Sequence, residues 1–337
     1  MTLNSLWFIL IAVLYTGYFI LEGFDFGVGI LLPVIGRNDK ERRVIINTIG
    51  PHWDGNEVWL VVAGGATFAA FPLWYTALFS GFYLPLLFIL AALILRGVAF
   101  EFRSKSSNPA WRTAWDWIIF AGSLLPALLW GVAFVNFLVG VPIDQQLYYT
   151  GGFWNLLNLP ALVGGLVTLL GFLFLGGLFL SLKIEGELGE RARLASARVW
   201  FPALLALVAL SFTLYFTKGL ADFPWITGTA AILGLVLAAV CGCLVARKHT
   251  GAAFIATLIT FALTGLAFFS ALYPNLMVSS LDTANNLTIT NAASGAYTLR
   301  VMSIVAAVFL PVVLAYQAWS YWIFRKRLSV KSKALEY

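Results

Sequence analysis

Apolar runs of twenty to thirty residues follow one another along this chain, separated by short connections that hold most of its positive charge. A helix of about 20 apolar residues matches the hydrocarbon thickness of a bilayer, so each run is a membrane span. The spans predicted are residues 6–35, 55–73, 75–100, 114–138, 156–182, 199–217, 224–246, 251–272 and 297–324. With 61% hydrophobic and 11% charged residues, the chain lacks the polar surface that coats a water-soluble domain. The expected fold is all-α and integral to the membrane, with about nine transmembrane helices in two four-helix bundles plus one peripheral helix. Residues 1–337 are expected to form a single polytopic domain. Within it, 1–138 is the first four-helix group, 156–272 the second and 297–324 the final helix, with 325–337 a basic tail.

Charge sets the orientation. Arg37, Lys40, Arg42 and Arg43 lie between spans 1 and 2, and Arg103, Lys105 and Arg112 between spans 3 and 4. Lys183, Arg191, Arg193 and Arg198 join spans 5 and 6, Arg247 and Lys248 join spans 7 and 8, and Arg325, Lys326, Arg327, Lys331 and Lys333 fill the tail. These 18 of the 21 basic residues fall on one face, against Lys218 on the other. The positive-inside rule makes the crowded face cytoplasmic, with the N-terminus outside and the C-terminus inside.

The same distribution argues against a nucleic-acid surface despite the net charge of +6, because such a surface gathers its cations on one exposed face. Cys241 and Cys243 are two apart on one helix, so their side chains diverge and read as small core residues. The first run lacks a basic leader and is too long for a signal-peptide core, so it is expected to remain as helix 1. Trp7, Trp53, Trp74, Trp111, Trp115, Trp154, Trp200, Trp225 and Trp322 mark span ends, where indoles favour the headgroup layer. The basic tail is expected to lie on the anionic leaflet.

Ionisable groups within a span cost about 2.5–3.5 kcal/mol each on insertion scales, so each needs a reason. Glu22 and Asp25 sit three apart in span 1 and share a face. Asp54 and Glu57 repeat that spacing at the start of span 2, Arg96 and Glu101 close span 3, and Asp116 opens span 4. Spans 5 to 9 hold almost nothing comparable. A file of carboxylates entering from the cytoplasmic side suits proton uptake, since a carboxyl in low dielectric can carry a proton and pass it on through water. Each has a plainer reading. Glu57 and Arg96 can form an ion pair, Asp116 can complement a helix N-terminus, and Asp54 can cap span 2. Glu22 and Asp25, with no basic neighbour in sequence, are the hardest to explain structurally.

Haem or metal ligands are scarce. The histidines are His52 and His249, both at the membrane edge, and beyond the initiator the methionines are Met277 and Met302. No metal site, phosphate-binding loop, dinucleotide fingerprint or nucleophile elbow is evident.

Three motifs now carry a resemblance: Glu22-Gly-Phe-Asp-Phe-Gly-Val-Gly29, Pro51-His-Trp-Asp-Gly-Asn-Glu-Val-Trp-Leu60 and Arg96-Gly-Val-Ala-Phe-Glu-Phe-Arg103. Together with Trp115-Asp-Trp117 and Leu287-Thr-Ile-Thr-Asn-Ala-Ala-Ser294, they resemble subunit II of the cytochrome bd-type quinol oxidases, including the cyanide-insensitive relatives. The resemblance runs nearly the whole chain in order. It implies a bacterial or archaeal cytoplasmic membrane and a similarly folded, haem-bearing subunit I as obligate partner. Subunit I would carry two haems b and one haem d, leaving none in this chain, and would oxidise quinol while oxygen is reduced to water. It further implies that positions matching Asp54 and Glu101 belong to a proton-delivery route, that an oxygen-access tunnel passes near Trp59, and that a structural quinone sits in this subunit. A small single-helix accessory subunit, bound lipid and quinol complete the expected partners. Some family members carry Asp where Glu22 and Glu101 stand here, which keeps the carboxyl and shortens its reach.

Two alternatives compete with a proton-conducting subunit. A proton-coupled carrier acting alone would need broken helices in matching halves around a midplane site, whereas the charges here occupy the first half only. A passive scaffold within the same oxidase would use the carboxyls to lock an interface.

Overall fold

The computed structural model describes residues 2–218 and 224–330 of the chain, and the predicted markers Lys331 and Lys333 lie outside them. Eleven α-helices are described: α1 Leu3–Ile35, α2 Asp39–Ile49, α3 Trp53–Ala70, α4 Pro72–Gly81, α5 Tyr83–Phe102, α6 Pro109–Val139, α7 Leu159–Lys183, α8 Gly186–Lys218, α9 Trp225–Ala246, α10 Thr250–Leu272 and α11 Ala296–Ile323. Among the described residues, eight are long and apolar enough to cross a bilayer, all but α2, α3 and α4. Helix α3, the second of the nine predicted spans, has 18 residues and so rises about 27 Å. Its shortfall is compositional, since Asp54 and Glu57 occupy its first two turns.

Three boundaries differ from expectation for identifiable reasons. The predicted span 75–100 is two helices, because Pro72 starts α4 and the chain turns at Phe82 before Pro85 enters the first turn of α5. The first connection contains α2, capped where the Asn38 side chain accepts from the Glu41 amide. Its apolar side, Val44, Ile45, Ile46 and Ile49, is buried, but with so much charge between them the segment does not read as an apolar run. Helix α8 begins at Gly186 rather than at 199, its charged first turns lying ahead of the apolar stretch.

Packing centres on α1, which lies against α3, α6, α7 and α10. Where α1 crosses α7, a Cβ built on Gly27 would fall 1.9 Å from the Phe172 carbonyl oxygen, and one on Gly176 would fall 2.5 Å from the Gly27 backbone. The two helices touch backbone to backbone, the close approach that small residues give membrane helices. Gly131 and Gly164 do the same for α6 against α7.

At the end of the bundle opposite the basic connections, strands β1 (Asn275–Met277) and β2 (Leu287–Thr288) pair antiparallel beside the connection that follows α6. Ser294 then ties this cap to the end of α3: its hydroxyl donates to Ala69 O at 2.7 Å and its amide to Ala70 O at 2.9 Å. These are carbonyls a helix end leaves unpaired, which gives the Leu287–Ser294 motif a structural task.

Trp7 and Trp74 are buried against other helices, whereas Trp154, Trp225 and Trp322 are exposed. The start of the tail is tied to the bundle. Leu328 bonds back to the turn between α7 and α8, its amide donating to Lys183 O at 2.7 Å and its carbonyl accepting from the Glu185 amide at 2.9 Å. The cysteine side chains diverge as their spacing requires, but only Cys241 is a core residue; Cys243 is exposed, because two positions along a helix turn it to the opposite side.

Candidate functional site

The charged residues of the first helices converge in two groups. At the basic end of the bundle, Asp116 is buried and does not serve a helix terminus: it is the eighth residue of α6 and accepts from Arg103 Nε at 2.6 Å and from Arg42 Nη1 at 2.8 Å. Asp39 accepts from the same Arg103 at 2.9 Å and from Arg112 at 2.8 Å, so α2, α6 and the end of α5 are locked together. Nearby, Glu41 pairs with Arg191. Burial alone would raise the Glu41 carboxyl, but Arg191 and the Arg37 amide outweigh it and hold the group below its usual range.

The second group lies deeper, where α1, α3, α5 and α11 meet. Glu22 of α1 is fully buried and ion-paired to Arg96 of α5, which also reaches Glu57 of α3 at 3.1 Å. The Arg96 guanidinium sits 4.7 Å from the Phe26 ring centroid and is itself fully buried. Asp25, one turn from Glu22 and equally buried, accepts from Asn56 Nδ2 at 2.7 Å. The Asn56 oxygen accepts from Gln317 Nε2 and from the Tyr321 hydroxyl, each at 2.9 Å. Three carboxyls thus share one guanidinium. In a medium of low dielectric the uncompensated charge must be met by protons or by water. Glu22 Oε2, Asp25 Oδ1, Arg96 Nε and Arg96 Nη1 are buried without a hydrogen-bond partner among the described residues, as expected of groups that ordered water serves.

Asp54 and Glu101 stand apart from this core and are both exposed. Asp54 does not cap α3, a position held by His52; it is the second helical residue, and its Oδ1 accepts from the Gly55 amide at 2.7 Å. Trp53 packs on Phe100 at 5.3 Å, which joins the start of α3 to the end of α5 and sets both acids at the same end of the bundle. From Asp54, one turn of α3 leads to the partly buried Glu57 and then through Arg96 to Glu22. Trp59 lies against Gly17 and lines an apolar groove of about 810 Å³ between α1 and α10.

Asn56, Gln317 and Tyr321 escaped the sequence reading, since uncharged polar residues in a span carry little signal. Asn56 could have been noticed as an amide one residue before an intramembrane acid.

The His52 ring is stacked on Tyr321 at 4.3 Å and 3°, and His249 is exposed where α10 begins. No group of three or more metal-ligating side chains occurs among the described residues. Burial, aided by Lys183, drops the His52 imidazole from its ordinary 6.5 to about 4. A base held down in the fold destabilises the fold when it must charge. The contribution is therefore complete above 6.5 and is lost as pH falls toward 4, amounting to about 3 kcal/mol. The thermal midpoint of the purified protein should fall steeply across that window, and His52→Gln should flatten the profile.

The geometry defines a polytopic membrane protein with acids graded from an exposed rim to a buried cation. Residues 3–324 match the family model for cytochrome bd terminal oxidase subunit II. The chain is 45% identical to a cytochrome bd ubiquinol oxidase subunit 2 of Bacillus subtilis (strain 168), over 98% of both chains. It is 40% identical to the cytochrome bd-I ubiquinol oxidase subunit 2 of Escherichia coli (strain K12), over 95% of this chain and 93% of that one. Among solved structures, the bd oxidase from Geobacillus thermodenitrificans shares the fold at a TM-score of 0.76, with 18% identity over 96% of this chain and 99% of that one. The chain belongs to the cytochrome bd terminal oxidase subunit II family. It is a multi-pass subunit of a bacterial respiratory membrane, part of a haem-containing oxidase that includes a subunit I. A carrier acting alone finds no support in these matches.

Proposed function

We propose that this chain is the haem-free subunit II of a quinol:oxygen oxidoreductase and supplies part of the path by which cytoplasmic protons reach the oxygen-reducing centre in subunit I. The observation that carries the reading is the excess of carboxyls over cations in the buried cluster, joined to the basic end of the bundle by exposed Asp54 and half-buried Glu57. Glu101 and Asp54 lie on a face whose neighbours Val58, Val61, Ile94, Val98 and Phe102 are exposed and apolar. A charged residue on an apolar membrane face calls for a protein partner rather than lipid, so this face is where subunit I docks. The scarcity of ligands, His52 and His249 both lying at the membrane edge, supports a haem-free chain with the two haems b and the haem d in that partner. The positive-inside rule puts the Asp54 end in the cytoplasm, with the N-terminus outside.

The Trp59 groove suits an apolar guest and supports oxygen access or a structural quinone there. Quinol oxidation itself, and any single-helix accessory subunit, belong to the assembled complex.

Asp54→Asn tests the route. In an assembled complex with its full haem content, oxygen consumption should slow by about tenfold or more, equivalent to about 1.4 kcal/mol of barrier. Native turnover in that variant would remove Asp54 from the path. The scaffold reading has its own support, because Glu22 and Glu57 are both paired to Arg96. It predicts failed assembly in place of a slower rate.

A further inference from the structure

The amide of Asn56 is oriented from both ends. Its oxygen receives two donors, Gln317 Nε2 and the Tyr321 hydroxyl, at 2.9 Å each. Its nitrogen faces Asp25 Oδ2 at 2.7 Å and the Leu21 carbonyl at 3.4 Å. A backbone carbonyl can only accept, so an amide turned the other way would set oxygen against oxygen at Leu21; the Gln317 amide and the Tyr321 hydroxyl can each donate or accept, so the Leu21 carbonyl fixes the sense. Asn56 therefore offers Asp25 a donor and nothing else.

That restricts where Asp25 can keep a proton. An oxygen already accepting from an amide hydrogen at short range cannot also present a proton along the same line. Any proton on Asp25 sits on Oδ1, which is buried and has no partner among the described residues. On the same face of α1, one turn away, Glu22 Oε2 is in the same condition. We propose that Asn56, oriented by the Leu21 carbonyl and bonded to Gln317 and Tyr321 of α11, is a positioning residue that confines the Asp25 proton to Oδ1 and so directs its transfer toward Glu22 rather than toward α11. The proposal rests on the reading of this cluster as part of a proton path.

The stereochemistry can be read without turnover. In the purified two-subunit complex, the infrared carbonyl band of protonated Asp25 is identified by its loss in Asp25→Asn. In the native complex that carbonyl accepts from Asn56. In Asn56→Leu it loses the donor, and the band should move to higher wavenumber. Tyr321→Phe, which leaves Gln317 and Leu21 in place, should keep the band at its native position. Should Asn56→Leu not assemble, Asn56→Ala removes the same donor with a smaller side chain and should move the band in the same direction. The absence of any band assignable to Asp25, or a band unmoved in whichever of Asn56→Leu and Asn56→Ala assembles, overturns the proposal.

Turnover then separates the two levels of the argument. Asn56→Leu should slow oxygen consumption by about tenfold at unchanged haem content, a barrier change of about 1.4 kcal/mol. A shifted band with native turnover would leave the positioning role standing and reject the proton path.

Discussion

Arg96→Met is expected to abolish stable assembly of the subunit. The substitution leaves Glu22 and Glu57 without their shared cation while keeping most of the apolar stem that packs against Phe26 and Phe100. Removing one partner of a buried pair costs about 3–5 kcal/mol, because the remaining charge stays desolvated and unpaired. Most single-domain folds have a margin of only about 5–15 kcal/mol. The measurement is the yield of intact complex in mild detergent, followed by its thermal midpoint. A companion variant isolates the cause: Arg96→Met combined with Glu22→Gln should recover part of the loss, since it removes the stranded charge. If the double variant is no better than the single one, shape rather than charge explains the defect.

The second large effect is steric. Gly27→Val places two methyl groups where α1 touches the α7 backbone, and even the first carbon would overlap the Phe172 carbonyl oxygen at 1.9 Å. No rotamer relieves a clash with main chain, so the helices must separate along their whole contact. Separation would also pull apart Phe26 and Phe172, whose rings lie 5.8 Å apart between centroids. Overpacking a well-filled core costs about 1–3 kcal/mol when side chains can give way, and more where backbone must move. Loss of the folded subunit, read as protease sensitivity in native membranes, is the expected result. Gly228→Val in α9 is the control, because a Cβ there meets nothing within 4 Å and the variant should behave as native.

The membrane architecture was legible because hydropathy is nearly a direct reading of the lipid environment. The runs that became α6, α7, α9, α10 and α11 were located to within a few residues. Where local chemistry competed with hydropathy, the reading slipped. A proline and a turn at Phe82 divided one apparent span, and α2 hid its apolar side among Asp, Glu, Lys and Arg. The acids themselves stood out, since a carboxyl in an apolar run is conspicuous. Their partners did not. Arg96 lies 74 residues from Glu22, and Gln317 lies 261 from Asn56, distances over which sequence spacing holds no geometric information. The role of Asp116 was misjudged for the same reason: its cations come from Arg42 and Arg103, which only the folded bundle brings beside it.

The distance between Glu22 and Arg96 also has a meaning in time. A ribosome adding about 5–20 residues per second delivers Arg96 roughly 4–15 s after Glu22. During that interval the newborn first helix carries two acids and has yet to meet its counterion. Insertion machinery must shelter it, or the nascent segment must wait at the polar lip of the translocon. Delaying synthesis between the two codons should therefore divert more chains to degradation than an equal pause placed after residue 102.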